Sequence, residues 1–263
     1  MNIRGGIAMI RGQLFNFMSE KGFFWTLALG WMIGPVIYMI VWSTAASSGT
    51  IGGYDRNAFV LYYLCLILIN QMTYPTTHWS TAQAIHNGSI SSALLRPLPL
   101  IYGAVGQEAA VKMVCIPFVA VVVTLLGLLL GVQASFTFVS VAAGLAALML
   151  ALMIRFLLAY ILSLLAFWTQ HSSALLSVND TFIFLFGGQV APLALFPGQL
   201  NQLTHFLPYR YMISFPVEAL MGTLNRESMI RGFTMQLLWT AVLMLVCYGV
   251  NRYGQRKYSA VGG

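Results

Sequence analysis

The chain has 263 residues, of which 59% are hydrophobic and only 7% charged. A soluble domain carries about 25% charged residues because its surface faces water; this composition, with a mean hydropathy of +0.81, excludes a water-soluble globule. The net charge of +7 comes without a dense basic run or a basic face with interleaved aromatics, which argues against a nucleic-acid partner.

Residues 1–22 are more polar than the apolar stretch that begins at Phe23. Ile3, Ile7, Ile10, Leu14 and Met18 recur at helical spacing, and Arg4, Arg11, Gln13, Glu20 and Lys21 lie largely off that stripe. The pattern predicts an amphipathic helix in the membrane interface. The first span runs from about Phe23 to Ala45, with Gly34-Pro35 near its middle. It is too long for the roughly 7–15-residue core of a signal peptide, so it is read as a true span. A second span over about Ala58 to Thr77 contains Asn70, Gln71 and Pro75, which predicts a polar, kinked inner half.

The longest polar interruption comes next, His78 to about Gly106. A third span is expected from about Glu108 to Leu130, and a fourth from Phe136 to Trp168, long enough to tilt or to project into water. A fifth covers about Ala174 to Leu195. A Pro-rich, aromatic stretch over 192–227 precedes the last span, about Ser228 to Val250. Each span needs roughly 20 apolar residues, and six fit the length. The fold expected is all-α and membrane-embedded: a single transmembrane domain over 1–263, with six spans and a broken, partly re-entrant segment before the last.

Orientation follows from the basic residues. With the N-terminus inside, eight Lys and Arg fall on inner segments and four on outer ones, with Arg155 inside a span. That bias favours cytoplasmic N- and C-termini.

Catalytic patterns are missing. There is no G-x-x-x-x-G-K-[ST], H-E-x-x-H or G-x-S-x-G, and Cys65, Cys115 and Cys247 have no metal-ligand spacing. The expectation is a non-enzyme without a cofactor or metal of its own. His78, His86 and His171 fall at inner boundaries, where a wetted structural role is the simplest reading. Asn70, Gln71, Arg155 and Asp180 are candidate path-lining polar residues within spans. Charges in hydrocarbon usually face a protein partner or a water-filled path. Arg155 and Asp180 sit on adjacent antiparallel spans at depths that differ by roughly 10 Å. Three readings stay open for them: an ion pair, a snorkelling Arg155, or the lining of a substrate path.

Two stretches carry a family resemblance. "IHNGSISSALLRPLPL", Ile85 to Leu100, is similar to a "G-x-(I/L)…LL-x-P" inner loop. "FGGQVAPLALFPGQLNQLTHFLPYRYMISFPVEALMG", Phe186 to Gly222, matches a pattern of Gly, Pro, "FP", "LP", an aromatic and a further Pro. Together with the order of parts, these resemble the membrane subunit of a type-two ABC exporter. Within that family the chain is most similar to bacterial permeases of about this length, which often act as two different subunits beside one ATPase.

The resemblance implies roles. The loop within 78–106 would be the coupling helix that docks on a cytosolic ATPase, present in two copies. His86, Asn87, Gly88 and Ser91 lie at its start. Ile90, Leu94 and Leu95 would form its apolar stripe, Arg96 would meet an acidic rim, and Pro97 would end the helix. Trp168–Ser173 would make a smaller second contact. The outer segment would be a gate, containing Gly187, Gly188, Pro192, Phe196, Pro197, Pro208 and Tyr209. A short amphipathic helix would start at Pro197, and Tyr209, Tyr211 and Phe215 would suit an interfacial aromatic belt. Gly30 and Gly34, with Gly187 and Gly188, would allow close packing against a second permease subunit, identical or related, with two different subunits favoured.

ATP and Mg would be bound by the ATPase. The expected setting is the bacterial inner membrane, and the expected cargo is hydrophobic or amphipathic, moved outward. A polysaccharide or lipid-linked glycan is an alternative cargo. An ATP-independent channel or membrane assembly factor is an alternative class.

Overall fold

The computed structural model describes residues 12, 29–95 and 99–257. Apart from Gly12, the amphipathic helix expected over 1–22 lies outside the described residues, as do the first residues of the expected first span. Among the described residues the chain is helical, with a single isolated bridge between Ile51 and Tyr54.

Some of the long elements begin at a side chain that accepts from a free amide. Helix α1, Trp31–Ala45, keeps Pro35 in its interior. Asp55 caps α2, Arg56–Thr73, by accepting from the Ala58 amide at 2.7 Å. After a break come α3, His78–His86, and one turn of α4, Ser91–Leu94. Helix α5, Leu100–Leu129, is capped by Pro99 and begins well before the expected Glu108. Proline sets the start of that helix, and Glu108 and Lys112 therefore lie inside it. Thr137 and Ser140 form a capping box for α6, Phe138–Leu164. Helix α7, Ser172–Phe186, stops well short of the expected Leu195. Three short helices come next: α8, Gly198–Thr204; α9, Pro208–Met212; and α10, Ser214–Met221. Helix α11, Arg226–Lys257, extends past both expected ends of the last span.

Four stretches are long and apolar enough to cross a bilayer: Arg56–His86, Leu100–Leu129, Phe138–Phe167 and Arg226–Arg256. Helices α1 and α7 are apolar but have 15 residues each. Each reaches about 22 Å, against a hydrocarbon core of roughly 30 Å.

Helices α2 and α6 form the interior, while α5 and α11 turn much of their surface outward. Helix α6 packs on α11, α10, α3, α9, α7 and α2. Its inner face carries Gly144, Ala147 and Ala151, small enough to let neighbours approach. At Gly144 a Cβ would lie 2.8 Å from the Leu220 Cβ and 2.9 Å from its Cα, so α10 rests directly on the α6 backbone. The largest buried side chains are Tyr62, Tyr63, Tyr160, Tyr211, Phe59 and Phe215.

Gly144→Val is therefore expected to destabilise the fold by about 1–3 kcal/mol. The same change at Gly34, where a Cβ would meet nothing within 4 Å, is expected to leave the isolated chain's unfolding temperature nearly unchanged. Thermal unfolding of both variants in detergent checks the contrast.

Candidate functional site: two sealed breaks and an inner elbow

Pro75 donates no hydrogen bond and pushes the residue before it out of helical geometry. Tyr74 takes ψ of 121°, and α2 ends at Thr73. The chain resumes as α3 at His78, which leaves backbone groups unpaired in an apolar setting. One turn of α5 supplies their partners. The Glu108 carboxylate accepts from the Thr76 amide, from the Thr77 amide at 2.9 Å and from the Thr77 hydroxyl at 3.0 Å. Lys112 Nζ donates to the Tyr74 carbonyl at 3.1 Å and pairs with Glu108. The acid thus sits at the start of α3 and the cation at the end of α2, as the helix dipoles favour.

Arg155, only 3% exposed, reaches the same turn from α6. Its Nη1 donates to Asn70 Oδ1 at 2.8 Å and Thr73 Oγ1 at 2.9 Å, and the guanidinium lies 5.3 Å from the Tyr74 ring centroid. The ion pair between Arg155 and Asp180, one of the three open readings, is not formed. The C-terminal turn of α2 offers both acceptors and the negative end of a dipole, and it lies nearer. Gln71 is buried in that turn. Asp180 Oδ2 stands 3.9 Å from His78 Nε2. His78 is 1% exposed and packs against Tyr74 and Trp79, so it is not the wetted boundary histidine expected.

The second break comes after α7. Gly188 has φ of +85°, and a Cβ there would lie 2.5 Å from the Tyr62 hydroxyl and 3.2 Å from the Ser214 Cβ. Tyr62 donates to the Gly188 carbonyl at 2.9 Å, and Tyr63 and Trp42 donate to that of Val190 at 2.9 and 2.8 Å. Gly187 and Gly188 are buried inside this chain and do not form an open face for a second subunit. Gly34 is half-buried with open space beside it, and Gly30 is exposed.

Pro192 is buried ahead of a single 3-10 turn, Leu193–Leu195. Phe196 is half-buried, Pro197 caps α8 as expected, and Pro208 opens α9. Tyr209 is half-buried against Phe182, with ring centroids 5.8 Å apart. Tyr211 and Phe215 do not join an interfacial belt; they are 2% and 1% exposed. Helices α9 and α10 fold inward onto α6, and the Phe215 ring lies over Gly232, where a Cβ would collide with it.

Two polar links hold this segment. Arg210 pairs with Glu218 at 2.7 Å, with the Ser214 hydroxyl donating to the same carboxylate. Gln236 donates at 2.9 Å to the carbonyls of both Ala147 and Tyr211. Nearby, burial and the cations Arg210 and Arg231 hold His205 below the usual imidazole range. In the loop before α2, burial pushes Tyr54 up to about 12, aided by the Glu218 charge.

The inner loop is an elbow. The His86 ring and the Ser172 hydroxyl share a hydrogen bond of 2.8 Å, tying the end of α3 to the start of α7. Asn87 Oδ1 accepts from the Ser89 amide, and the Ser91 hydroxyl donates to the Gly88 carbonyl. Ile90, Leu94 and Leu95 do not share one outward face. Ile90 is 5% exposed in the core, Leu94 is half-buried, and Leu95 is 87% exposed. The tight turn at Gly88 rotates Ile90 inward. Arg96 and Pro97 lie outside the described residues.

Reading the sequence missed Glu108, Lys112, Arg210, Glu218 and Gln236. The first two carried a signal, since an acid and a base four apart in an apolar stretch can neutralise each other on one helix face.

These features define a multi-pass α-helical membrane protein whose broken helices are sealed by side chains from their neighbours. The family described as "ABC-2 family transporter protein" matches residues 29–262, and the chain belongs to that family. It is a permease subunit of the ABC type, and membership implies association with an ABC ATPase. A comparison with curated proteins returned no match.

Replacing Glu108 by Gln leaves Lys112 a half-buried cation with no counter-charge, and is expected to cost about 1–3 kcal/mol. Glu108→Gln combined with Lys112→Met is expected to lose less than the two single changes together. Unfolding temperatures of the three variants in detergent measure the coupling; additive losses would rule out the seal as a unit.

Proposed function

We propose that this chain is the permease half of an ATP-driven exporter in the bacterial inner membrane. It needs no cofactor of its own, because ATP and Mg are held by the ATPase. Counting α1 and α7 as spans gives six, with both termini in the cytoplasm and residues 192–227 forming an outer, partly re-entrant gate. The basic last turn of α11, with Arg252 and Arg256, agrees with that orientation.

The observation that carries the reading is the elbow. It carries Leu95, a large apolar side chain presented outward, while Ile90 roots it in the core. An exposed apolar tip on a rooted base suits a groove in a partner protein. Through His86 the elbow also holds α7, so a push on it reaches two helices. ATPases that dimerise on ATP would drive two such elbows and shift the spans around a path between two permease subunits.

The second permease subunit would meet the outward faces of α1 and α7. Ile33, Ile37, Ile40 and Val41 are exposed on the first, and Leu175, Val178 and Phe182 on the second. Gly34 offers the open backbone for close approach. The cargo is hydrophobic or amphipathic, because these faces offer almost no fixed charge.

Leu95→Asp is expected to reduce recovery of the ATPase with tagged permease at least about tenfold, as loss of a central apolar anchor does. Unfolding temperature should stay unchanged. Full ATPase recovery with this variant would place the docking surface elsewhere.

A further inference from the structure

The acidic residues of the chain are used internally, with one exception among the described residues. Asp55 caps α2, Glu108 pairs with Lys112, Glu218 with Arg210, and Glu227 with Arg231. Asp180 has no hydrogen bond among the described residues. Its neighbour His78 stands 3.9 Å away, beyond hydrogen-bond range, and both ring nitrogens of that buried histidine also lack a partner. The Asp180 side chain is 28% exposed, on a helix apolar enough to lie in the bilayer. A carboxylate so placed is unfavourable against lipid and faces a partner or a wetted path.

Its surroundings select a ligand. Ser173, Ser177, Asp180 and Thr181 fall at i, i+4, i+7 and i+8, one stripe along α7. The Ser177 and Thr181 hydroxyls donate back to the carbonyls of Ser173 and Ser177. Only their acceptor lone pairs face outward. The stripe therefore offers hydrogen-bond acceptors and a negative charge. Beside it, Val178 and Phe182 give apolar cover, and Trp31 lies tilted against Tyr74, which packs on His78. Trp31 is itself exposed, with a ring face suited to a cation. Asp180 is the only Asp, Glu, Lys or Arg in residues 29–54 and 169–209. An identical second copy meeting these faces would bring no Lys or Arg from them to neutralise it.

We propose that Asp180 is a binding residue for a cationic amphiphile, whose charge meets the carboxylate and whose apolar body lies along Val178, Phe182 and Trp31. This deepens the exporter reading and rests on it for the direction of movement, but not for binding.

Tetraphenylphosphonium and tetraphenylborate, equal in shape and opposite in charge, test it. The permease purified with its ATPase is reconstituted in zwitterionic lipid. Equilibrium binding without ATP, after subtraction of uptake by protein-free vesicles of the same lipid, should favour the phosphonium at least about tenfold. Asp180→Asn should abolish that preference, Asp180→Glu should keep it, and Asp180→Lys should reverse it. Equal binding of both ions by the unaltered complex would overturn the proposal, with no variant required. So would a preference retained in Asp180→Asn, or loss of the second permease subunit from that variant, which would reveal a protein cation as the true partner. Selective binding without ATP-driven movement would instead count against the exporter reading and leave the site intact.

Discussion

A helix interrupted inside hydrocarbon has no water to turn to, so each freed amide and carbonyl must find a side chain. This constraint governs the structure. Among the described residues the chain breaks at Pro75 and at Gly187–Val190, and each break is sealed from a distance in sequence. Glu108 and Lys112 arrive from α5, and Tyr62, Tyr63 and Trp42 from α1 and α2. The two seals differ in kind. At Pro75 the chain stops one helix and starts another, which exposes both a negative and a positive dipole end, and an ion pair answers both. After α7 the exposed groups are carbonyls, and neutral donors suffice.

The first seal explains where the buried arginine goes. Arg155 faces a turn that already ends in a negative dipole and carries Asn70 and Thr73 as acceptors. Its Nη1 alone donates to that cluster, and Nε is buried without a hydrogen-bond partner. The break at Pro75 therefore gathers Arg155, Lys112, Glu108, His78 and Asp180 around a few non-helical residues. Four of the chain's 13 Lys and Arg and 6 Asp and Glu thus gather at one break.

Much of this architecture was legible in the sequence. Apolar length marked the long helices, the long fourth stretch among them, because hydrophobicity accumulates over many residues and tolerates error at each one. Pro75, Pro197 and Gly187-Gly188 marked breaks because their effect is local to the backbone. Rotation about the helix axis was not legible. One residue of phase is about 100°, enough to turn Ile90 from an expected docking face into the core, or Tyr211 and Phe215 from a lipid interface onto α6. Partner choice was equally hidden. Arg155 and Asp180 lie on neighbouring helices, yet which turn a long side chain reaches depends on how α2 and α3 are offset. The start of α5 was misplaced for a related reason. Glu108 and Lys112 resemble a polar boundary when counted singly, and behave as one neutral unit when paired.

The mechanical consequence lies in α3. It runs as a short rigid rod between two fixed ends. Its start is held by the Glu108 carboxylate and its end by the His86–Ser172 bond. Residues 74–77, which join it to α2, have no helical ladder to resist bending. In the proposed exporter, force on the elbow would turn α3 about that joint and not compress it, because helices are stiff along their axis while the joint is held only by the Glu108 and Lys112 side chains. His78, the first residue of α3, stands next to that joint, so turning α3 would displace it little, while the His86 tether would carry α7 and Asp180 with the far end of the rod. The 3.9 Å separation of His78 and Asp180 would therefore change as the elbow moves.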